Sequence, residues 1–132
     1  MLFRSQRPGF DDLETFAPTV RLATIRSTLA LAAIKHSCLR SMDISHAFTK
    51  GKLEEEIYMR QPEGYHFGKQ GDVLKLKKSL YGLKQAGRVW NETLDKALVS
   101  MSFKQLKSDP STYVYGRDGA RVTVPVFIDD IC

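Results

Sequence analysis

Cysteine is scarce in this chain, and its scarcity excludes whole classes of protein. Only Cys38 and Cys132 occur, too few for a disulfide framework, and His36, His46 and His66 are scattered rather than set at zinc-ligand spacing. A reducing, intracellular setting is the default for such a chain. Long apolar runs are lacking as well. No stretch reaches membrane-spanning length, and the opening Met1–Gly9 lacks the apolar core of a signal peptide. No segment repeats at a fixed period, none is low in complexity, and no linker divides the chain. What remains, at 132 residues with 42% hydrophobic and 27% charged content, is one soluble domain with a single modest core.

Positive charge is what the chain has in surplus. A net charge of +5 suits either simple solubility or a polyanionic partner, since phosphates attract Lys and Arg and release counterions on binding. Location says more than the total. Lys75, Lys77, Lys78, Lys84 and Arg88 fall within residues 75–88, while the acidic run Glu54-Glu55-Glu56 lies elsewhere. Each of these cations reads either as a phosphate contact or as part of a solvated basic face.

Hydrophobic periodicity supplies the coarse structure. Residues 1–17 are loop-like, with Pro8-Gly9 as a turn signal. Pro18-Thr19 then opens a helix with Thr19 as N-cap, and Leu22, Ile25, Leu29 and Ala32-Ala33 recur at helical spacing as far as Ser37. Cys38–Ile44 reads as a short strand ending near Asp43. Residues 56–60 and 73–77 alternate as strands, the second with Leu74 and Leu76 on one face and lysines on the other. A long helix follows from Leu83 to Met101, with Ala86, Trp90, Leu94, Ala97, Leu98 and Met101 as its core stripe. Residues 112–116 and 121–128 form a hairpin, because Asp118-Gly119 is a strong two-residue turn signal. The order predicts an α+β fold, with helices packed on one face of a largely antiparallel sheet.

Three aspartates stand out chemically. Asp43 follows the apolar Met42 at a strand end, and Asp129-Asp130 follow the apolar run 124–128. Phosphoryl and nucleotidyl transfer use two divalent ions about 4 Å apart, and a hard ion such as Mg²⁺ prefers carboxylate oxygens converging from strand ends. Adjacent aspartates repel, and Asp is depleted in strands. On their own the pair reads equally as the end of a metal site or as a solvated acidic turn. Phe48 by itself reads more readily as a core residue than as a ligand contact.

The surrounding words carry a resemblance. Glu14-Thr-Phe-Ala-Pro-Thr-Val-Arg21, Ile25-Arg26 and Leu29-Ala-Leu-Ala-Ala33 are similar to the opening of copia-type LTR retrotransposon reverse transcriptases. Met42-Asp-Ile-Ser-His-Ala-Phe48 resembles their first catalytic block, and Gly51–Gly64 resembles their most distinctive stretch. Leu76–Ala86, with Arg88 and Trp90 in register, resembles another, and Phe127-Ile-Asp-Asp130 resembles the aromatic-x-Asp-Asp box. The blocks run in the family's order over residues 8–132.

The resemblance implies residues 18–132 as a partial fingers and palm domain, truncated at both ends, with RNA-directed DNA polymerase activity. It implies Asp43, Asp129 and Asp130 as catalytic metal ligands for two Mg²⁺ ions, with Mn²⁺ as a possible substitute. Phe48 matches the bulky residue that excludes a 2′-hydroxyl. Tyr81, Gly82, Lys84 and Gln85 match the stretch over the nucleotide and template, and Lys75, Lys77, Lys78 and Arg88 are the expected nucleic-acid contacts, with a solvated basic face as the alternative for each. The implied partners are an RNA template, a DNA primer, deoxynucleoside triphosphates and the rest of a Pol polyprotein. No membrane is implied, and the setting is cytoplasmic, within virus-like particles, or nuclear.

Some positions depart from the family. Thr49 replaces an apolar residue, Gly87 stands where Pro is usual, and Pro125 lies inside the strand that delivers the acidic pair, where a central strand should carry none. The strand returning from that pair should require residues beyond 132. Nucleic-acid interfaces commonly bury on the order of 1,000 Å² or more of protein. The isolated chain is therefore expected to be inactive, either as part of a longer enzyme, as a relic of one, or as a non-catalytic nucleic-acid-binding remnant.

Overall fold

The computed structural model describes residues 6, 15–65, 67–69, 71–117 and 119–131. Most of the loop-like segment 1–17 therefore lies outside the described residues. The rest is a small α+β unit with two helices, a five-stranded antiparallel sheet and a separate two-stranded one.

Helix α1 (Leu22–Ile34) is shorter than its periodicity predicts, and Thr19 is not its cap. The N-cap is Arg21, with no capping side chain of its own. The cap comes from across the chain. Buried Asp109 accepts hydrogen bonds from the Arg21 N–H (3.0 Å) and from Thr24 Oγ1 (2.6 Å). Of the expected core stripe only Ala32 is buried, and Leu22, Leu29, Leu31 and Ile34 are exposed. Helix α1 contributes to neither buried cluster.

Helix α2 (Ala86–Ser100) does the packing. Ala86, Val89, Trp90, Leu94 and Leu98 are buried, whereas Ala97 and Met101 of the predicted stripe face solvent. Trp90, Leu94 and Leu98 meet Tyr113, Val124, Val126 and Ile131 of the sheet in the main core. The Tyr113 hydroxyl ties sheet to helix by donating to Asp95 Oδ1 at 3.0 Å. Burial, aided by that carboxylate, pushes the Tyr113 phenol up to about 12 against a lowering bond from Gln105. Gly87 is in the first turn of α2, and among the described residues a Cβ there would meet only Ala17 Cβ, at 3.5 Å. Gly87→Ala is therefore expected to raise stability by about 0.5–1 kcal/mol, read as a higher melting temperature.

The main sheet runs β1 (Met42–Asp43), β7 (Asp130–Ile131), β6 (Ala120–Phe127), β5 (Asp109–Arg117), β4 (Lys104–Leu106). The hairpin predicted at Asp118-Gly119 is present, with Arg117 opposite Ala120 and Gly119 at φ +82°. Strand β1 is only Met42–Asp43 of the segment expected over 38–44, and β4 was not anticipated. Two expectations need correction. Pro125 sits inside β6, buried and in register with Thr112. The described β6–β7 pairing covers Val126 and Phe127, the two residues that follow Pro125, and β6 runs unbroken through the proline. The strand returning from the acidic pair does not wait for residues beyond 132 either. It begins at Asp130.

The second sheet pairs β2 (Tyr58–Arg60) with β3 (Val73–Lys75), as the two alternating segments predict. Around the hairpin lies a smaller core of Ile57, Leu83 and Ala86, with Phe48, Leu53, Leu76 and Leu80 packed on it. No helix among the described residues is long and apolar enough to cross a membrane.

Candidate functional site around the Ile128-Asp129 turn

The site is a two-residue turn and what grips it. Phe127 pairs with Asp130, leaving Ile128 and Asp129 as the bend of the β6–β7 hairpin. Ile128 adopts φ +59°, a left-handed conformation that is unfavourable for a β-branched residue. Two hydrogen bonds hold it there. Trp90 Nε1 on α2 donates to the Ile128 carbonyl at 2.8 Å, and the Ile44 N–H donates to the Asp129 carbonyl at 3.0 Å.

The second grip brings β1 alongside. Met42 lies opposite Ile131, and Asp43 lies directly opposite Asp130. Residues paired this way have Cβ atoms about 5 Å apart on one face. Asp43, Asp130 and Phe127 thus form a row across three strands, all exposed, while Ile131 and Val126 in the next row are buried. The sheet brings the three predicted aspartates to one edge, two of them face to face. Like charges directly opposite are destabilising, and a cation between them relieves the repulsion. An all-carboxylate donor set suits a hard divalent ion. Among the described residues no three acidic, His or Cys side chains form a cluster ready to hold a metal, so the fit extends to the facing pair.

Beyond Asp43 the chain turns through His46, at φ +58°, into the 3-10 helix Ala47–Lys50 that carries Phe48. Thr49, where the family has an apolar residue, donates its hydroxyl to the His46 carbonyl at 2.8 Å and closes this turn. Gly51 lets the segment lie against α2, because a Cβ would stand 2.5 Å from Val89 Cγ1 and 3.2 Å from the Val89 oxygen. Phe48 and Tyr81, far apart in sequence, meet edge to face at 4.8 Å between ring centres. Gly82 at φ +95° makes the bend that turns Tyr81 outward, where it is half exposed. Phe48, Trp90 and Ile128 also line a cleft of about 220 Å³ that residues 15–19 help to close.

The remaining predicted residues scatter. Gln85 is fully buried, its Oε1 accepting from Gln6 Nε2 at 2.9 Å. The Lys84 ammonium donates to the Gln6 carbonyl at 3.0 Å. Arg88 is held by Glu55 at 2.6 Å and Glu92 at 2.8 Å. Lys75 is paired with Glu56 and lies 5.9 Å from the centre of the Tyr58 ring. This pairing raises the Lys75 pKa and lowers that of Glu56. Lys77 and Lys78 are exposed. Sequence reasoning took Trp90 as core alone and missed its second role. The available signal was chemical, since a buried indole N–H needs a partner.

The chain belongs to the reverse transcriptase (RNA-dependent DNA polymerase) family, whose pattern matches residues 3–132. Within that family its similarity runs to the copia-type LTR retrotransposons. It is 39% identical over 128 residues to the retrovirus-related Pol polyprotein from transposon RE1 of Arabidopsis thaliana, covering 96% of this chain and 9% of that one. It is 46% identical over 109 residues to the corresponding polyprotein from transposon TNT 1-94 of Nicotiana tabacum, covering 82% and 8%. The transposon Ty1-MR1 Gag-Pol polyprotein of Saccharomyces cerevisiae is 31% identical over 127 residues, covering 96% and 7%. The chain thus spans less than a tenth of the length of these relatives. No solved structure matches it significantly.

Proposed function

We propose that this chain supplies the nucleotidyl-transfer site of an RNA-directed DNA polymerase, as a fingers and palm portion working with the rest of a Pol polyprotein. The observation that carries this reading is the register that sets Asp43 opposite Asp130, with Asp129 beside them and Phe48 one turn away. Asp43, Asp129 and Asp130 would hold Mg²⁺, or Mn²⁺ in its place. Bound there, two ions neutralise charge on the transferring phosphoryl group and activate the primer hydroxyl.

The chain's own residues do the rest. Trp90 and Ile44 fix the turn, so the carboxylates need little reorganisation to receive cations. The Phe48 ring, held at its edge by Tyr81, stands under the nucleotide sugar and leaves no room for a 2′-hydroxyl. Tyr81 and Gly82 border the nucleotide and template, whereas Lys84 and Gln85 act chiefly by fixing that bend through Gln6. Lys75, Lys77 and Lys78 meet phosphates. Arg88 does so only by leaving Glu55 or Glu92.

A segment exchange tests the reading. Placed in the RE1 polyprotein in exchange for the matching residues, the chain is expected to support primer extension on an RNA template with Mg²⁺. Asp129→Asn in that chimera should lower extension by on the order of a hundredfold or more, the scale of losing a preorganised electrostatic group. A well-folded chimera without extension would instead support the reading as a relic or a non-catalytic binding remnant.

A further inference from the structure

Strand β7 lies inside its sheet, between β1 and β6, yet it is only two residues long. Its neighbours run on past it. β6 extends back from Phe127 to Ala120, and residues 38–41 lead into β1. A chiefly apolar cleft of about 270 Å³ lies between them, with Ile131 at its border. Val122 and Val124 line it from one face of β6, and Thr123 and Pro125 from the other. Lining from both faces marks a gap at a strand edge rather than a hollow on one side. Leu29 of α1 and Leu39 border the same gap and stand exposed. A second cleft, of about 430 Å³, continues it along Leu39 and Thr123 to Gly119.

Backbone phase shows which groups the gap leaves open. The closing pair of a two-residue hairpin is hydrogen-bonded, and bonding direction alternates from there. Arg117 with Ala120, and Phe127 with Asp130, close the two hairpins of β6. Ala120, Val122 and Val124 therefore bond toward β5, and the residues between them face β7. The Val126 carbonyl follows the same phase, accepting from the Val20 N–H at 3.2 Å instead of from β7. Arg121 and Thr123 thus turn N–H and C=O groups into the gap, while Pro125 turns a carbonyl with no N–H. On the other wall the Ile44 N–H donates to Asp129, so the Arg40 backbone, four residues earlier, also faces the gap.

An open edge of this kind takes an added strand. We propose that the gap is the seat of the segment that continues β7 in a longer Pol polyprotein, inserted antiparallel to both walls. Continued register sets the second position after Ile131 between Arg40 and Val124, and the third between Leu39 and Thr123. The apolar lining selects an apolar strand, as for any strand covered by its surroundings. Pro125 removes the donor from the rung next to Ile131, so the seat is weaker at its entrance than along its length. That a polyprotein supplies the strand rests on the reading proposed above; the gap and its open rungs do not.

The test adds to the 132-residue chain the roughly six residues, a typical strand length, that follow the matched stretch in the RE1 polyprotein. Amide exchange at Thr123 and Arg40 is expected to slow on the order of tenfold or more, and the melting temperature to rise by roughly 5 °C or more. The same extension with proline at alternate positions cannot complete the ladder and should do neither. Pro125→Val restores the missing donor and should enlarge the slowing at Thr123 in the extended chain alone. An extension that leaves exchange and melt unchanged, or a proline-bearing one that works as well, would overturn the proposal. So would protection of Thr123 in the unextended chain that grows with protein concentration, since a second copy would then fill the gap. Protection by the extension, with an RE1 chimera that fails to extend a primer, removes the polymerase reading alone. Primer extension by the chimera, with Thr123 unprotected by the added strand, removes the seat alone.

Discussion

Trp90→Ala is expected to lower the stability of the chain by about 3–5 kcal/mol, and Trp90→Phe by roughly 1–2 kcal/mol. The two variants separate two roles. Alanine empties the space where the indole packs against Tyr113, Val124 and Val126, in a core too small to collapse around the gap. Phenylalanine keeps most of that packing and removes only the Nε1 donor, leaving the Ile128 carbonyl without its 2.8 Å partner. The consequence is local. Ile128 stays left-handed only while its surroundings hold it there, a conformation that costs about 1–2 kcal/mol. Urea unfolding measures the global loss. Amide exchange at Ile128–Ile131 in Trp90→Phe should speed up beyond what the global loss explains; exchange following only global stability would show that the bond does not hold the turn.

Asp109→Ala should cost about 3 kcal/mol and melt α1 ahead of the sheet. Removing the carboxylate strands the Arg21 N–H, the Thr24 hydroxyl and the Ser111 N–H together. Helix α1 has no capping side chain of its own and no share in the buried clusters, so this tie is its main anchor. The same group makes the helix acid-sensitive. Burial alone would raise the Asp109 pKa, but the bonds from Thr24, Arg21 and Ser111, with the Arg21 charge, hold it below the usual carboxylate range. Ionised Asp109 therefore favours the folded state. Its contribution is complete above the unfolded value of about 3.9 and is lost as pH falls through the lower folded value. Far-UV circular dichroism across that acid range should show helix loss in the parent chain, and little further loss in Asp109→Ala, whose helix is already depleted at neutral pH.

Where local chemistry decides an element, the sequence announces it. Asp118-Gly119 marks the β5–β6 hairpin, alternation marks β2 and β3, and the helical stripe marks α2 through Trp90, Leu94 and Leu98. Where a distant residue decides, periodicity misleads. The start of α1 is set by Asp109, 88 positions from Arg21, so Thr19 looked like a cap without being one. Strand β7 is two residues long, too short to show a period, yet it carries the register that joins Asp43 to Asp130. Pro125 looked incompatible with its strand, yet β6 runs through it in register with Thr112. The candidate site was legible as residues, in Asp43, Phe48, Asp129 and Asp130. The grip of Trp90 and the engagement of Gln85 by Gln6 are visible only in three dimensions.

The measurement that bears most directly on the aspartates as a metal site is the thermal melt of the chain with and without millimolar Mg²⁺ or Mn²⁺. Binding to the folded state alone raises the melting temperature by linkage, and facing carboxylates should gain most. The melt is expected to rise with either ion in the parent chain and to stay fixed in Asp43→Asn and Asp130→Asn. Both variants should melt higher than the parent when no ion is present, because the repulsion is gone. A parent melt indifferent to the ions, or an equal rise in the asparagine variants, would overturn the assignment of these carboxylates as metal ligands.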